Sequence, residues 1–529
     1  MAIVGLVLGL PAGAAGADTY EVGPGKPYGT LEDVDDMLGP GDLVLVSGGT
    51  TYPGGVRLER DGSPSAPITI RGVGNPRPVL SGSTNTIELA GDHTVLERFD
   101  LTAGSFRCLY LHADDVVVRD TVVHDCPAHG ILGADTDSGD ATLERVEVHH
   151  AGGSDRNHSI YMATDEVAHP GSVFRMRHCW VHDATGGNLV KSRAERNEIA
   201  YNRLEGSAVS FHELELIGPD PAGGAVAPGV REDSDVVGNV LVHRRADFRY
   251  AARVGGDATG ESEGRYRFVS NTFVGTAESP YTVFRAFDRL ESIEAIGNVM
   301  HRPGGLQVMR EAEAEWVGGS RALSGAANWI TAGSEVPGEL AGSLAGADPG
   351  LDADLRPAAR SPLVDVGYTA PLVAGFEPPL AGPLVPGAAR PIDEALDVGA
   401  YELPDGRPGA NDGNEGVRRR LRLALVRVRR AGRSLVAVVR VSRRARVGGV
   451  LLRRAGPAGG RATAARSWKR VRRLRPRLLA PGRQTLHIGR LRGSKRLRPG
   501  RYRLRLTARA EQVRAQASLR FRVRARHLR

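Results

Sequence analysis

The stretch Asp120-Thr-Val-Val-His124 returns after 25 residues as Arg145-Val-Glu-Val-His149 and after a further 33 as His178-Cys-Trp-Val-His182. Each copy has apolar residues at alternate positions, which is the period of a β-strand. Further versions of the pattern are Arg98-Phe-Asp-Leu-Thr102, Glu198-Ile-Ala-Tyr-Asn202, Asn239-Val-Leu-Val-His243, Asn271-Thr-Phe-Val-Gly275 and the shorter Asn298-Val-Met-His301. The successive steps from Thr102 to Gly275 are 22, 25, 33, 20, 41 and 32 residues. The chain therefore contains an internal repeat of short strands.

The shortest steps, 20 and 22 residues, are the length of one coil of a parallel β-helix, with three short strands and three turns. One coil cannot bury its own apolar face, so the coils must stack, and strand twist favours a right-handed coil. Asn239, Asn271, Asn298 and Asn328 recur at one turn, which predicts a ladder of hydrogen-bonded side-chain amides. The fold class is therefore all-β, with a right-handed parallel β-helix over residues 18–403.

The longer steps contain extra residues at Asp135–Asp140, Asp165–Ser172, Gly218–Val230 and Gly255–Gly264. Each insertion lies between the second strand of a coil and the next repeat motif, so all of them should leave the helix at the same edge. Insertions along one edge of a solenoid commonly wall a binding surface. We therefore expect a binding groove at this edge.

The charge divides the chain in two. From Arg418 onwards there are 38 basic residues and one acidic residue, Glu511, which gives a net charge of +37. The rest, with 32 basic and 60 acidic residues, carries −28. Residues 404–417 are rich in Pro, Gly, Asp and Asn and are predicted to be a linker. Residues 418–529 contain strand-like runs in which Arg alternates with apolar residues, as in a sheet with one buried and one cationic face.

The phrase Leu497-Arg-Pro-Gly-Arg-Tyr-Arg-Leu-Arg-Leu-Thr507 resembles the final hairpin of Ig-like C-terminal domains of secreted actinobacterial proteins. The resemblance implies that residues 418–529 are a small Ig-like β-sandwich. A charge of this size should bind a polyanion such as an anionic cell-wall polymer, an acidic polysaccharide or anionic lipid. No recognition motif for a specific nucleic acid is present. The alternative is that the arginines form only a solvated face.

The first 17 residues are an apolar run followed by the small residues Ala15-Gly16-Ala17. This pattern predicts a signal peptide cut after Ala17, although no Lys or Arg precedes the apolar run; a buried N-terminal strand is the alternative. No other segment is apolar enough to span a membrane. We therefore expect a secreted monomer, extracellular or associated with the cell wall. The three cysteines, Cys108, Cys126 and Cys179, are expected to be small buried apolar residues rather than a disulfide framework or a metal site.

Two phrases near the ends of the repeat region, Ala66-Pro-Ile-Thr-Ile-Arg-Gly-Val-Gly74 and Asp397-Val-Gly-Ala-Tyr-Glu402, resemble those of bacterial right-handed β-helix proteins. These proteins belong to the pectin-lyase-like superfamily. The resemblance covers about Thr19 to Leu403, and it implies the fold more strongly than an activity.

Side chains with useful chemistry precede the insertions. Stacking should place Tyr161, Lys191, the His212–Glu215 strand, Arg253 and Arg285 along one outer face of the helix. To cleave a uronic-acid polymer by β-elimination, a site must neutralise a carboxylate, remove the C5 proton and protonate the leaving oxygen. We assign Lys191 as the base, His212 or Tyr161 as the acid, and Arg193 with Arg253 as the carboxylate clamp. The expected substrate-binding residues are His158, Glu213, Glu215, Arg253 and Arg285.

The phrase Asn188-Leu-Val-Lys-Ser-Arg-Ala-Glu-Arg-Asn197 resembles a stretch of alginate lyases and of chondroitinase B, which use a catalytic Lys. Those families have an Arg 21 residues after the Lys, where this chain has His212. They also have an acidic calcium ligand shortly before the Lys, where this chain has Gly186-Gly187-Asn188. Calcium is the one cofactor that the resemblance implies, but the missing acidic ligand argues against a dependence on calcium, and no metal ligand is assigned. A set of bacterial β-helix proteins shares the phrases His-Ser-Ile-Tyr and Val-Lys-Ser-Arg-Ala, but implies little about the reaction.

These residues predict a secreted polysaccharide lyase that acts on an acidic glycan. Two alternatives stay open: a non-catalytic surface protein that binds glycan along the groove, and a glycoside hydrolase, which needs two or three carboxylates around one glycosidic oxygen. Asp114-Asp115 is a pair, but strand alternation splits it across the two faces. His124, His149, His182 and His243 are expected to stack at one turn as a structural ladder rather than to bind a metal. If no bulge turns His212 outward, Glu213 and Glu215 should face the groove instead.

Overall fold

The chain forms two compact units, residues 1–407 and 408–529, in a computed structural model. The structure describes residues 17–218, 231–256, 262–276, 280–312, 315–367 and 396–403 of the first unit. In the second unit it describes residues 423–431, 434–441, 445–454, 468–479, 482–490, 497–510 and 513–523. Most of the predicted signal peptide (residues 1–16), the predicted linker and most of the Gly218–Val230 insertion lie outside these residues.

Most strands of the first unit belong to three long parallel sheets, A, B and C, and each coil contributes one strand to each sheet in that order. Sheet A contains β1 (Thr19–Val22), β2 (Leu43–Ser47), β5 (Ile68–Val73), β8 (Thr94–Glu97), β11 (Val116–Arg119), β14 (Ala141–Glu144), β17 (Val173–Arg177), β20 (Arg196–Ala200), β23 (Asp233–Val237), β26 (Arg265–Val269), β29 (Ser292–Ile296) and β32 (Leu323–Ala326). Sheet B contains β3 (Thr51–Pro53), β6 (Val79–Ser81), β9 (Asp100–Thr102), β12 (Val122–Cys126), β15 (Glu147–Ala151), β18 (Trp180–His182), β21 (Arg203–Glu205), β24 (Val240–His243), β27 (Thr272–Gly275), β30 (Val299–His301), β33 (Trp329–Thr331) and β34 (Leu344–Gly346). Sheet C contains β4 (Val56–Leu58), β7 (Asn85–Leu89), β10 (Arg107–Leu111), β13 (His129–Gly133), β16 (Ile160–Ala163), β19 (Val190–Arg193), β22 (Leu214–Ile217), β25 (Tyr250–Gly255), β28 (Thr282–Ala286) and β31 (Gln307–Glu311).

This arrangement is the predicted parallel β-helix, and its right-handed sense follows from the rule for parallel crossover connections. A short helix α1 (Glu32–Asp35) and a 3₁₀ helix (Gly338–Leu340) lie beside the coils. Alternate residues of each strand point inward, and one continuous apolar core runs from Val22 to Leu340. Among the described residues, no helix is long and apolar enough to cross a membrane.

The predicted asparagine ladder is confirmed and begins one coil earlier, at Asn202. Asn202, Asn239, Asn271, Asn298 and Asn328 are all buried. In each step the side-chain amide and the backbone N–H of one asparagine donate to Oδ1 of the next, at 2.8–3.1 Å. The ladder therefore satisfies polar groups that the turn between sheets A and B would otherwise bury without partners.

Three of the repeat motifs were aligned wrongly: Glu198–Asn202, Asn239–His243 and Asn271–Gly275, whose Gly275 pairs with His243. The first three residues of Glu198–Asn202 belong to β20 of sheet A rather than to a strand of sheet B, because the sheet-B strand of that coil starts only at Arg203. The sheet-B register pairs Glu205 with Val242, so His243 lies one position beyond the histidine column. His124, His149 and His182 do stack, with ring centroids 5.1 and 5.2 Å apart. His243 is instead buried and paired with Glu213.

The insertions leave the coils at one edge, as predicted, between sheets C and A. Asp135–Asp140 follows β13 and Asp165–Ser172 follows β16, and the described ends of the other two insertions follow β22 and β25. The expectation for the cysteines was wrong for two of the three. Cys108 and Cys126 form a disulfide with Cα atoms 6.0 Å apart. The two cysteines lie close together because β10 of one coil contacts β12 of the next coil. Cys179 is a buried free thiol.

The second unit consists of two antiparallel sheets. The first contains β35 (Leu423–Ala431), β36 (Ser434–Val441) and β39 (Gly482–Arg490), and the second contains β37 (Ala445–Arg454), β38 (Trp468–Leu479), β40 (Gly500–Ala510) and β41 (Val513–Val523). Buried residues from both sheets share one core. In β40, Tyr502, Leu504 and Leu506 are buried while Arg501 and Arg505 are exposed, which is the predicted alternation.

Candidate functional site

One row of side chains follows the outer face of sheet C, with one residue from each coil. The strand register pairs Tyr161 with Lys191, Lys191 with Glu215, Glu215 with Arg253, and Arg253 with Arg285. Neighbouring strands of a sheet lie about 4.8 Å apart, so these five side chains are consecutive neighbours along the groove. The structure therefore brings together most of the predicted site residues.

A bend just before each strand explains where His212 lies. Ser159, Leu189 and Glu213 are the bend residues, and the strands start immediately after them. The bend interrupts the inside–outside alternation, so His212 and Glu215 both contact Asn188. Glu215 faces the groove as expected without a bulge, but Glu213 does not. Its carboxylate turns to His243, 3.0 Å from the imidazole Nδ1.

A second ladder of hydrogen bonds runs from coil to coil through the residues that directly precede these bends. The backbone N–H of His158 donates to Nδ1 of His129 at 3.2 Å, and that of Asn188 donates to Nδ1 of His158 at 3.0 Å. The backbone N–H of His212 then donates to Oδ1 of Asn188 at 3.0 Å. Sequence reasoning missed this ladder, because its members differ in residue type and share only the ability to accept a hydrogen bond. His158 is 3% exposed, and together with His129 and His212 it forms a histidine wall beside the outer row, with its ring 5.5 Å from that of Tyr161.

The three histidines of this wall are neutral. Burial, together with the nearby charges of Arg107 and Lys191, lowers the pKa of His129 to about 4. Burial lowers the pKa of both His158 and His212 to about 3. The imidazole of His212 lies edge-on against Phe248, with ring centroids 4.8 Å apart. A neutral, buried imidazole is a poor proton donor at neutral pH, so His212 serves the site by holding Asn188.

Lys191 lies between an aromatic ring and a carboxylate. Its Nζ is 4.8 Å from the ring centroid of Tyr161 and 4.0 Å from Oε2 of Glu215. Glu215 also accepts a hydrogen bond from the Asn188 amide and one of 2.6 Å from Arg253 Nη1. Burial would raise the pKa of Glu215, but the surrounding positive charges lower it below its ordinary value. The carboxylate is therefore ionised, and it favours the ammonium form of Lys191.

Arg193 orients Tyr161. Its Nε donates to the tyrosine hydroxyl at 3.1 Å, and its Nη1 donates to the carbonyl of Gly218 at 2.6 Å. Arg193 is only 4% exposed, although it lies on the outer side of the coil. It is thus buried beside Tyr161, the candidate proton-transfer group.

The far end of the row is rich in arginine and aromatic rings. The Arg253 guanidinium lies 4.1 Å from the ring centroid of Phe287, and that of Arg285 lies 4.4 Å from Tyr250. Burial lowers the pKa of Arg285, and the neighbouring Arg253 and Arg310 lower it further. Contact with aromatic rings holds both guanidinium groups in place on the outer face of sheet C, and guanidinium groups are suited to bind carboxylates.

The residues present do not fit a calcium site. In the part of the chain that the structure describes, no three His, Cys, Asp or Glu side chains are grouped so as to hold a metal ion. The one carboxylate of the row, Glu215, is already bonded to Arg253 and Asn188 and lies beside Lys191. Calcium prefers six to eight oxygen ligands and would be repelled by these cations.

No protein-family model matches the sequence, and no curated relative matches it. Solved structures with a similar fold include pectate lyase Pel9A, with 13% identity, a TM-score of 0.47, and coverage of 74% of this chain and 97% of that one. An alginate lyase from Paenibacillus sp. str. FPU-7 has 18% identity and a TM-score of 0.34, covering 58% and 97%. The PL6 family polysaccharide lyase Pedsa3628 from Pseudopedobacter saltans has 12% identity and a TM-score of 0.37, covering 61% and 92%. At this similarity, the roles of individual residues rest on the geometry described above.

Proposed function

We propose that the β-helix is a polysaccharide lyase that binds an acidic glycan along the outer row of sheet C and cleaves it by β-elimination. The observation that carries the proposal is the register itself. It places a tyrosine, a lysine, a glutamate and two arginines on five consecutive coils, with Arg193 hydrogen-bonded to the tyrosine. These groups include a proton carrier and a set of carboxylate-binding cations, which are the two requirements of the reaction.

Tyr161 is the best candidate for proton transfer. A guanidinium that donates to the phenol oxygen, as Arg193 does, stabilises the phenolate form. The phenolate removes the C5 proton of a uronate, a C4–C5 double bond forms, and the C4–O bond breaks. The proton then passes from the phenol to the leaving oxygen, so the tyrosine ends as it began. Lys191 and Arg253 stabilise the negative charge that develops on the uronate carboxyl group.

This assignment differs from the one that the sequence favours, in which Lys191 is the base. The Glu215 carboxylate lies 4.0 Å from Nζ of Lys191, and it stabilises the charged ammonium. Lys191→Arg and Lys191→Ala separate the two roles. If Lys191 binds the carboxylate, arginine retains a large part of kcat and alanine raises KM. If Lys191 is the base, both variants lose kcat alike.

The test of the activity is the ultraviolet absorbance of unsaturated products when the purified full-length protein is mixed with alginate, chondroitin or pectate. Unsaturated product from at least one polymer supports the proposal. Saturated reducing ends alone would indicate a hydrolase, and binding without product would indicate a non-catalytic glycan-binding protein. The row argues against hydrolysis, because Glu215 is its one carboxylate between Tyr161 and Arg285 and Glu213 turns away.

We further propose that the protein is secreted as a monomer and that its second unit binds an anionic cell-wall polymer. Support comes from the apolar run at residues 1–17 and from exposed cations on two strands of one sheet: Arg470 and Arg473 on β38, and Arg501 and Arg505 on β40. Retention of the full-length protein on cell walls, with and without their teichoic acid, tests this proposal. The double variant Arg473→Glu/Arg505→Glu should elute at lower salt, whereas unchanged elution would contradict the proposal.

A further inference from the structure

A cation also lies upstream of the candidate site, on the coil of β10. The outer row of sheet C continues from Tyr161 through Leu132 to Tyr110, so Tyr110 lies two coil spacings, about 10 Å, from Tyr161. Arg107 precedes Tyr110 on the same strand, in the column that the register pairs with His129. Its side chain reaches across to the row, where its guanidinium lies 3.9 Å from the ring centroid of Tyr110. The outer face of sheet C therefore has cations on both sides of Tyr161.

Two aromatic rings hold this cation in place. The Arg107 guanidinium also lies 4.4 Å from the ring centroid of Phe106, and its Nη1 donates to Oδ1 of Asn85 at 3.3 Å. Its Nε is buried, so a ligand can reach the guanidinium only through the terminal amino groups. Phe106 is 41% exposed, and an exposed ring can pack against the C–H face of a sugar. We call Phe106, Arg107 and Tyr110 the upstream patch.

Within the described residues, the guanidinium of Arg107 contacts two rings and one amide but forms no ion pair. The carboxylate of Glu88, the next member of the row, is bonded instead to Arg57 at 3.0 Å and to the Asn85 amide at 3.3 Å. Burial raises the pKa of the Tyr110 hydroxyl, and among the nearby charges Arg107 has the largest effect, which lowers this pKa. A guanidinium that is held by rings and carries an uncancelled charge is suited to bind a carboxylate from a ligand.

We infer that the upstream patch is a second carboxylate-binding site, which holds an acidic sugar on the opposite side of the cleaved bond from Lys191 and Arg253. The inference rests on the proposed function for the position of the reacting bond, beside Tyr161. The substrate class is then an acidic glycan with a carboxylate on both sides of that bond. The strands β10 and β25 are five coil steps apart, roughly 24 Å, so only a long oligosaccharide can contact both sets of cations at once.

The test measures the binding of alginate, pectate and chondroitin decasaccharides to the full-length protein by calorimetry, with Tyr161→Phe in every sample to prevent cleavage. Arg107→Gln should weaken decasaccharide binding about tenfold and make it less dependent on salt, because one charge contact is lost. Arg107→Lys keeps the charge but not the planar guanidinium, so it should recover only part of the affinity. Tetrasaccharides of the same glycan, which are too short to contact both sets of cations, should bind equally well with and without Arg107→Gln.

The matched control is Arg119→Gln. Strand β11 follows β10 in the same coil, so this substitution removes the same charge nearby, but Arg119 lies on sheet A and pairs with Glu97. The affinity for decasaccharides and its salt dependence should not change. Phe106→Ala is a second variant of the upstream patch that leaves the charge intact, and it should weaken decasaccharide binding equally at all salt concentrations.

The outcomes separate this site from the proposed activity. An equal loss of affinity in Arg107→Gln and Arg119→Gln, an equal loss for long and short oligosaccharides, or binding of no glycan overturns the inference. If wild-type protein forms no unsaturated product but the binding differences hold, the lyase activity fails and the second carboxylate site stands. If product forms and Arg107→Gln leaves decasaccharide binding unchanged, the site fails and the lyase activity stands.

Discussion

Sheets A and C of the same β-helix present outward charges in opposite ways. On sheet A, cations form ion pairs with anions of neighbouring coils: Glu97 pairs with both Arg71 and Arg119. Further along, Asp235 pairs with Arg196 and Arg267, each at 2.6 Å. On sheet C, the outer row from Lys191 to Arg310 covers five coils and contains four cations and one carboxylate. The backbone geometry is the same, so the difference lies in the side chains alone.

The difference indicates what each face does. A coil stack brings outward residues of neighbouring coils within about 5 Å, so like charges in one row cost stability unless something neutralises them. Sheet A solves this within the protein. On sheet C the repulsion between neighbouring cations remains, and such a surface is suited to bind an anionic ligand.

The largest expected effect is on sheet C. Tyr161→Phe should lower kcat by about 10²–10⁴-fold, because the variant keeps the ring but loses the group that moves the proton. Steady-state kinetics on a cleaved polymer measure this effect. The midpoint of urea unfolding should remain close to that of the wild type. If the variant retained full kcat, Tyr161 would have no part in the proton transfer.

The next largest effect should come from the buried asparagine ladder, which stabilises the fold and lies away from the outer row of sheet C. Asn271→Ala removes bonds to Asn239, Asn298 and the Val236 carbonyl and leaves buried groups without partners. We expect a loss of about 2–4 kcal/mol in the free energy of unfolding, measured by urea denaturation. A loss as small as that of a surface substitution would mean that water replaces the amide.

Lowering the pH should destabilise the fold through the three buried histidines beside sheet C. The pKa values of His129, His158 and His212 lie at about 4, 3 and 3 in the folded chain, against 6.5 in an exposed histidine. Between these values the unfolded chain binds protons that the folded chain does not, so stability is fully present above about pH 6.5 and falls as the pH is lowered. Thermal unfolding between pH 4 and 7 measures this slope. His158→Asn should make the slope shallower, and an unchanged slope would assign the acid sensitivity to other groups.

The smallest effect should come from sheet A. Asp235→Asn weakens the pairs with Arg196 and Arg267, which are partly exposed, and should cost about 0.5–1 kcal/mol. Binding and cleavage of the glycan should not change. A clear loss of activity in this variant would contradict the contrast between the two sheets, because a charge on sheet A would then be needed for function.

The sequence predicted the β-helix well, because an alternating pattern repeated every 20–40 residues has few other ways to bury its apolar face. It also placed Tyr161, Lys191, Glu215, Arg253 and Arg285 on one face. It failed where the register depends on a single residue. The bend at Glu213 turned that carboxylate toward His243, and a slip of one position removed His243 from the histidine stack. A period of two makes every such slip reverse the direction of a side chain.

The amino-acid sequence by itself therefore determined the coil, the asparagine ladder, the edge from which the insertions leave and the division of charge between the two units. The tertiary structure alone decided which groups neutralise one another. It placed Glu215 beside Lys191 and Arg253, Arg193 behind Tyr161, and Cys108 against Cys126. These contacts join residues 18 to 38 positions apart, and their partners are selected by coil stacking, which no local pattern encodes.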